Sequence, residues 1–260
     1  MSMARPDYGL DAPGVVRNLL LVGIVGLALR ATVAAGLWSG FLAFHPSASL
    51  DITLPLGYMA LWPGLSCFLM GCWMIYTSKV GKVRERERVL DRIQWTGSEA
   101  VLDVGCGRGL MLVGAARRLT TGRATGVDIW QSEDLSGNRP DATLENARRE
   151  GVAERVVVET ADMRKLPFPD AAFDVALSCA AIHNVPTAEG RAAAIGEISR
   201  VLKPGGRAVI DDIRHLNDYA KTFVAHGCKA ERIDSKAGSL LWTLITFGSL
   251  RPGLLMVVKG

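Results

Sequence analysis

The sequence predicts a doubly wound α/β domain with a seven-stranded, mostly parallel sheet, preceded by two apolar helices long enough to cross a membrane. Three observations carry this expectation. From residue 99 onward, short apolar runs alternate with helical patterns, as in strands joined by crossover helices. Between residues 31 and 78 the one formally charged residue is Asp51. The chain is 260 residues long and 49% hydrophobic, enough to bury a core and too apolar for a disordered chain. A net charge of +4 does not by itself argue for nucleic acid, and five cysteines without a CxxC pair argue against a disulfide scaffold or a zinc site.

Residues 1–78 read as a membrane hairpin with spans at about 19–44 and 56–76. About 20 apolar residues, at 1.5 Å of rise each, cross a hydrocarbon core of roughly 30 Å. The connector at 44–51, with Pro46 and Asp51, is polar and turn-like. A cleaved signal peptide fits less well, because Asp7 and Asp11 stand in its leader, the apolar run is too long and a second follows. Buried helices of a soluble domain are the other alternative, set against two stretches without polar faces. Lys79, Lys82, Arg84, Arg86 and Arg88 follow the second span, Arg5 and Arg17 precede the first, and the loop between has no Lys or Arg. The positive-inside rule then places both ends, and the domain that follows, on the cytoplasmic side of the inner membrane. Trp38, Trp62, Trp73, Tyr58 and Tyr76 suit interface anchors, and Pro55 and Pro63 would start and kink the second helix. Arg30, inside the first span, costs about 2.5–3.5 kcal/mol on insertion scales. It either snorkels from an offset or tilted helix or faces a polar group of a lipid or substrate.

Residues 79–98 read as a basic juxtamembrane linker helix suited to lipid headgroups, with Val83, Val89, Leu90 and Ile93 able to pack on the next domain. In the domain at 99–260, strands are expected at 100–104, 124–129, 156–159, 173–178, 208–210, 232–233 and 254–258. Helices are expected at 110–119, 141–150, 187–202 and 216–226. Ligands of such sheets bind at the carboxyl ends of the strands, near the switch point.

Chemistry-bearing residues gather there. Gly105, Gly107 and Gly109 alternate between a strand and a helix, where backbone must approach a ligand closely. Asp128 ends the next strand, placed to take both hydroxyls of a ribose, so the pair reads as a nucleoside site. A dinucleotide fingerprint would want glycine at Leu110, and a P-loop would want Gly-Lys-Ser/Thr, which is absent.

Residues 101–109, Val-Leu-Asp-Val-Gly-Cys-Gly-Arg-Gly, closely resemble the first motif of class I S-adenosylmethionine-dependent methyltransferases. The resemblance continues through 126–129, 161–163, 166–168, 173–176 and 197–206, in order and spacing, over about residues 99–258. It implies S-adenosyl-L-methionine as cofactor. It also implies roles by position: Gly105, Cys106, Gly107 and Gly109 under the methionyl part, Asp103 at its amino group and Asp128 at the ribose. Ile129 or Trp130 would lie on the adenine, Asp162 and Met163 beside it, and Ser178 and Cys179 would flank the methyl donor. Asp174 is expected to serve the fold by holding a turn.

A weakly acidic methyl acceptor needs a general base. His183, in the loop after the fourth strand, is the candidate; lining the acceptor or a structural hydrogen bond are its other readings. Asp211, Asp212 and His215 are second candidates. No metal site is expected, since His and acidic residues do not cluster. The segment 240–247 is apolar but too short to span, and reads as a buried element or an apolar wall over the acceptor. The expected function is a membrane-anchored methyltransferase acting on a small or lipophilic acceptor, with membrane lipids as partners and no nucleic acid. A non-catalytic module that senses the cofactor or docks a partner is the alternative.

Overall fold

The computed structural model describes residues 5–47, 50–233 and 252–260. The chain divides into two compact units, one of Gly9–Lys82 with Glu133–Ser136, the other of Met1–Tyr8, Val83–Ser132 and Gly137–Gly260.

In the smaller unit, helix α1 (Pro13–Ala34) starts on a proline at its first position. It ends in a Schellman cap: Gly36, at φ +71°, donates to Val33, and Leu37 donates to Thr32. The first helix therefore starts six residues before the expected span and stops ten residues before its expected end, because a left-handed glycine closes it inside the apolar run. The expected polar turn is instead an antiparallel hairpin of β1 (Leu42–Ser47) and β2 (Leu50–Leu54). Its alternating Leu42, Phe44, Ile52 and Leu54 pair as strands require. Helices α2 (Leu56–Met59) and α3 (Leu61–Tyr76) follow, with Pro55 capping α2 and Pro63 tolerated in the first turn of α3.

Glycines bring α1 and α3 into close approach. A Cβ on Gly26 would stand 2.8 Å from Gly64 Cα, and one on Gly23 would stand 2.7 Å from Phe68 N. The outer faces are apolar and exposed, with Val22 at 54%, Val25 at 58% and Leu69 at 57%. Pro13–Ala34 and the helical stretch beginning at Leu56 carry windows of mean hydropathy 1.7 and 1.4, long and apolar enough to cross a membrane. Arg30 lies four residues from the end of α1, with its guanidinium 5.4 Å from the Tyr58 ring centroid.

Helix α4 (Lys82–Leu90) follows a π-helical turn at Thr77–Gly81 and belongs to the larger unit from Val83 onward. Strands β3 (Ala100–Val104), β4 (Arg123–Asp128), β5 (Val156–Thr160), β6 (Phe173–Cys179), β7 (Leu202–Asp212), β8 (Cys228–Ile233) and β9 (Gly253–Lys259) form one sheet in the order β5-β4-β3-β6-β7-β9-β8. All pairings are parallel except those of β9. Helices α5 (Leu110–Ala116), α6 (Pro140–Arg149), α7 (Ala188–Val201) and α8 (Leu216–Ala225) connect them. The sheet matches the seven expected strands, with β7 starting earlier, at Leu202, than the Ala208 expected. Alternating residues feed two cores. Leu102, Val104, Ala176 and Ile210 pack with Ile195, Ile198 and Phe223 of α7 and α8. Val101, Val175, Leu177 and Val209 pack with Leu112 and Val113 of α5 and with Val89 and Leu90 of α4. Asp174 accepts hydrogen bonds from Ala100 N at 2.8 Å and Lys203 Nζ at 2.7 Å, tying together the starts of β3 and β7. The chain winds outward in both directions from β3 and β6, which places the switch point between them.

Candidate active site

The turn after β3 is built for backbone. Gly105, Gly107 and Gly109 have φ of +72°, +52° and +83°. A Cβ on Gly105 would stand 2.3 Å from Ala181 Cβ, so the loop after β6 lies directly against the glycine loop. Met163 Cε would be 3.5 Å from the same Cβ. Gly105 N and Cys106 N both donate to Val127 O, at 2.8 and 3.0 Å. Ser178 Oγ donates to Val104 O at 2.8 Å, holding the end of β3 against β6.

Two carboxylates face this turn from different strands. Asp128 accepts from Gly107 N at 2.8 Å, Trp130 N at 2.6 Å and Asn138 Nδ2 at 3.2 Å. It is half-buried, so its remaining lone pairs can meet a ligand. Asp103 is buried, and its Oδ2 has no hydrogen-bond partner. Burial, with the Asp128 charge nearby, pushes its carboxyl up to about 7. Such an orphaned oxygen at a strand end wants a donor. Cys106 is buried and its thiol is pushed up, chiefly by desolvation, which keeps it unreactive.

Ile129 is 51% exposed beside Asp128, while Trp130, at φ +63°, donates its indole N–H to Thr160 Oγ1 at 2.8 Å. Asp162 is paired through both oxygens with Arg164, at 2.6–3.0 Å, and that pairing holds its carboxyl below the usual range. Arg164 is a neighbour the sequence did not point to.

The loop after β6 carries His183 in a 3₁₀ turn, Ile182–Asn184. His183 Nδ1 lies 2.6 Å from Asp212 Oδ1, at the end of β7, and His183 N donates to Asp212 Oδ2 at 3.2 Å. Asp212 is buried and also accepts from Ile213 N at 2.7 Å and Tyr219 OH at 3.4 Å. An acceptor held this way fixes the proton on Nδ1 and leaves Nε2 as the basic nitrogen. Nε2 makes no hydrogen bond among the described residues. Of the second candidates, then, Asp212 serves His183. Asp211 takes the Cys179 Sγ at 3.7 Å, and burial pushes its carboxyl up to about 6. His215 caps α8 at φ +60°, 3.9 Å from Asp218. Among the described residues no group of three or more His, Cys, Asp or Glu side chains could hold a metal ion. The 240–247 segment lies outside the described residues.

Residues 102–210 match the family described as "Methyltransferase domain". Over these residues the chain is similar to methyltransferase domains, and its fold resembles that of a SAM-dependent methyltransferase from Aquifex aeolicus, with a TM-score of 0.53 at 17% identity over 69% of this chain and 92% of that one. The methyltransferase domain is similar to the sterol 4-C-methyltransferase of Caenorhabditis elegans, 31% identical over 138 residues, 53% of this chain and 38% of that one. It is also similar to the 27-O-demethylrifamycin SV methyltransferase of Amycolatopsis mediterranei, 32% identical over 139 residues, 52% of this chain and 46% of that one. The chain thus spans less than half the length of these relatives. In fold it resembles the geranyl diphosphate C-methyltransferase of Streptomyces coelicolor, solved with Mg2+, geranyl diphosphate and S-adenosyl-L-homocysteine. The TM-score is 0.53 at 19% identity, over 68% of this chain and 78% of that one. The methyltransferase domain's own residues fit the cofactor: a glycine cradle that a Cβ would fill, a buried carboxylate oxygen wanting a donor, and a second carboxylate at the next strand end.

Proposed function

We propose that the chain is a membrane-anchored methyltransferase that acts on a small or lipophilic acceptor at the cytoplasmic membrane face. The observation that carries the catalytic part is the His183–Asp212 pair, set at the same sheet end as the glycine loop and touching it through Ala181. When bound, S-adenosylmethionine supplies an electrophilic methyl group on a sulfonium sulfur. The protein's part is to hold, to align and to manage a proton. Asp128 offers acceptors to ribose hydroxyls, Asp103 Oδ2 accepts from the amino group, and exposed Ile129 offers an apolar surface to the adenine. His183 Nε2 takes the proton of the acceptor, and Asp212 holds the ring and stabilises the charge it gains.

The anchoring part is supported by the exposed apolar faces of two long helices and by the run of basic residues from Lys79 to Arg88. The position of Arg30 near a helix end, over Tyr58, supports snorkelling to an interface. Relatives named for sterol and rifamycin acceptors favour a lipophilic substrate.

The test follows a labelled methyl group. Full-length protein in detergent is incubated with methyl-labelled cofactor and a cell extract, and the products are partitioned. The proposal expects label in the organic phase and none with Asp128→Ala. Label in protein or nucleic acid would contradict the acceptor class. No transfer by protein that binds the cofactor would favour a sensing module.

A further inference from the structure

The glycine loop is held from outside by a short segment that precedes the first apolar helix. Arg108, between Gly107 and Gly109, donates from Nη2 to Asp7 Oδ2 at 3.1 Å. Asn146 of α6 is buried and joins the same partners: its Nδ2 donates to Arg108 O and to Asp7 O, both at 2.9 Å, and its Oδ1 accepts from Asp7 N at 2.9 Å. Thr143, also on α6, donates to Gly107 O at 2.7 Å. The next residue, Tyr8, is buried against the guanidinium of Arg86, and its hydroxyl meets Glu150. Arg86 closes the triad on Glu150 at 3.0 Å. Burial alone would raise Glu150, but the bonds from Arg86 and Tyr8 outweigh it and hold its carboxyl low. Residues 7 and 8 are therefore locked in place, although 78 residues separate Tyr8 from Arg86.

Three consecutive alternating glycines have much conformational freedom to lose when a ligand orders them. A loop already held on both sides loses less on binding. Asp128 and Thr143 hold it on one side. We propose that Asp7 is a positioning residue for the cofactor, holding the glycine loop in its binding geometry through Arg108 and Asn146. The inference rests on the glycine loop being the cofactor cradle.

The test is calorimetric titration of the full-length protein with S-adenosylhomocysteine, with the melting temperature of each variant measured alongside. Asp7→Ala and Arg108→Ala are each expected to weaken binding about three- to fivefold, the range of a partly exposed charge pair. The double variant is expected to be no weaker than either single one, and Asp7→Glu to bind nearly as the parent does. Unchanged affinity with a lowered melting temperature would assign Asp7 to stability alone and overturn the inference, as would losses that multiply in the double variant. Asp128→Ala serves as the control. If it binds normally, the cradle reading fails and the inference falls with it; if it loses binding while Asp7→Ala does not, only the inference falls.

Discussion

At the carboxyl ends of β3 and β4 the protein presents mostly backbone: three left-handed glycines, paired amides, and carboxylates that receive N–H groups. At the carboxyl ends of β6 and β7, some 30 residues apart in sequence, it presents side chains: His183 on Asp212, with Tyr219 behind. The first half suits those parts of a ligand that a reaction leaves unaltered. The second suits a proton that must move. The difference teaches that binding and transfer should fail separately when each half is cut.

The largest expected effect is at His183. His183→Ala should lower methyl transfer about 10²- to 10⁴-fold with the cofactor affinity unchanged, as steady-state rates and calorimetry together would show. A loss in kcat up to about 10⁴-fold is expected for Asp212→Asn, which keeps the shape but no longer holds the proton on Nδ1 of His183. Equal losses of binding and transfer in that variant would blur the two halves into one. On the other side, Asp128→Ala should weaken cofactor binding roughly 100-fold, about 3 kcal/mol, since it removes the proposed ribose acceptor and frees Gly107 and Trp130 N–H groups.

The smallest effect is one of pH. Asp103 titrates at about 7, and its ionised form suits a cationic amino group. Cofactor affinity should improve roughly fivefold from pH 6 to pH 7, and Asp103→Asn should flatten that slope in titrations across the range. The sign for stability is opposite. A folded pKa above the ordinary 3.8 gives a contribution complete below that pH and lost as pH rises through about 7. The ligand-free protein thus carries an internal cost at the pH where the site binds best.

The same contrast explains what the sequence could show. The glycine loop was legible because close backbone approach demands glycine at fixed spacing, and Asp128 because a strand end follows a readable apolar run. His183 was legible as a residue of the loop after β6, but its tie to Asp212 was not, because partners 29 residues apart meet only through the register of β6 and β7. Asp7, read as a leader charge, gave no sign of its contact with Asn146, which stands 139 residues away. In the apolar region, composition hid local signals. Gly36 closes α1 and alternating Leu42, Phe44, Ile52 and Leu54 form strands, yet an apolar run long enough to span masked both. Arg30, read as lying inside a span, stands near the end of the shortened helix.

The most direct test of the account measures both halves in one preparation. His183→Ala and Asp128→Ala, as full-length proteins in detergent, are titrated with S-adenosylhomocysteine and then assayed for labelled methyl transfer into the lipid fraction of a cell extract. The account predicts that His183→Ala binds like the parent and does not transfer, while Asp128→Ala does neither. Transfer retained by His183→Ala, or binding lost with it, would contradict the division between a backbone cradle and a side-chain base.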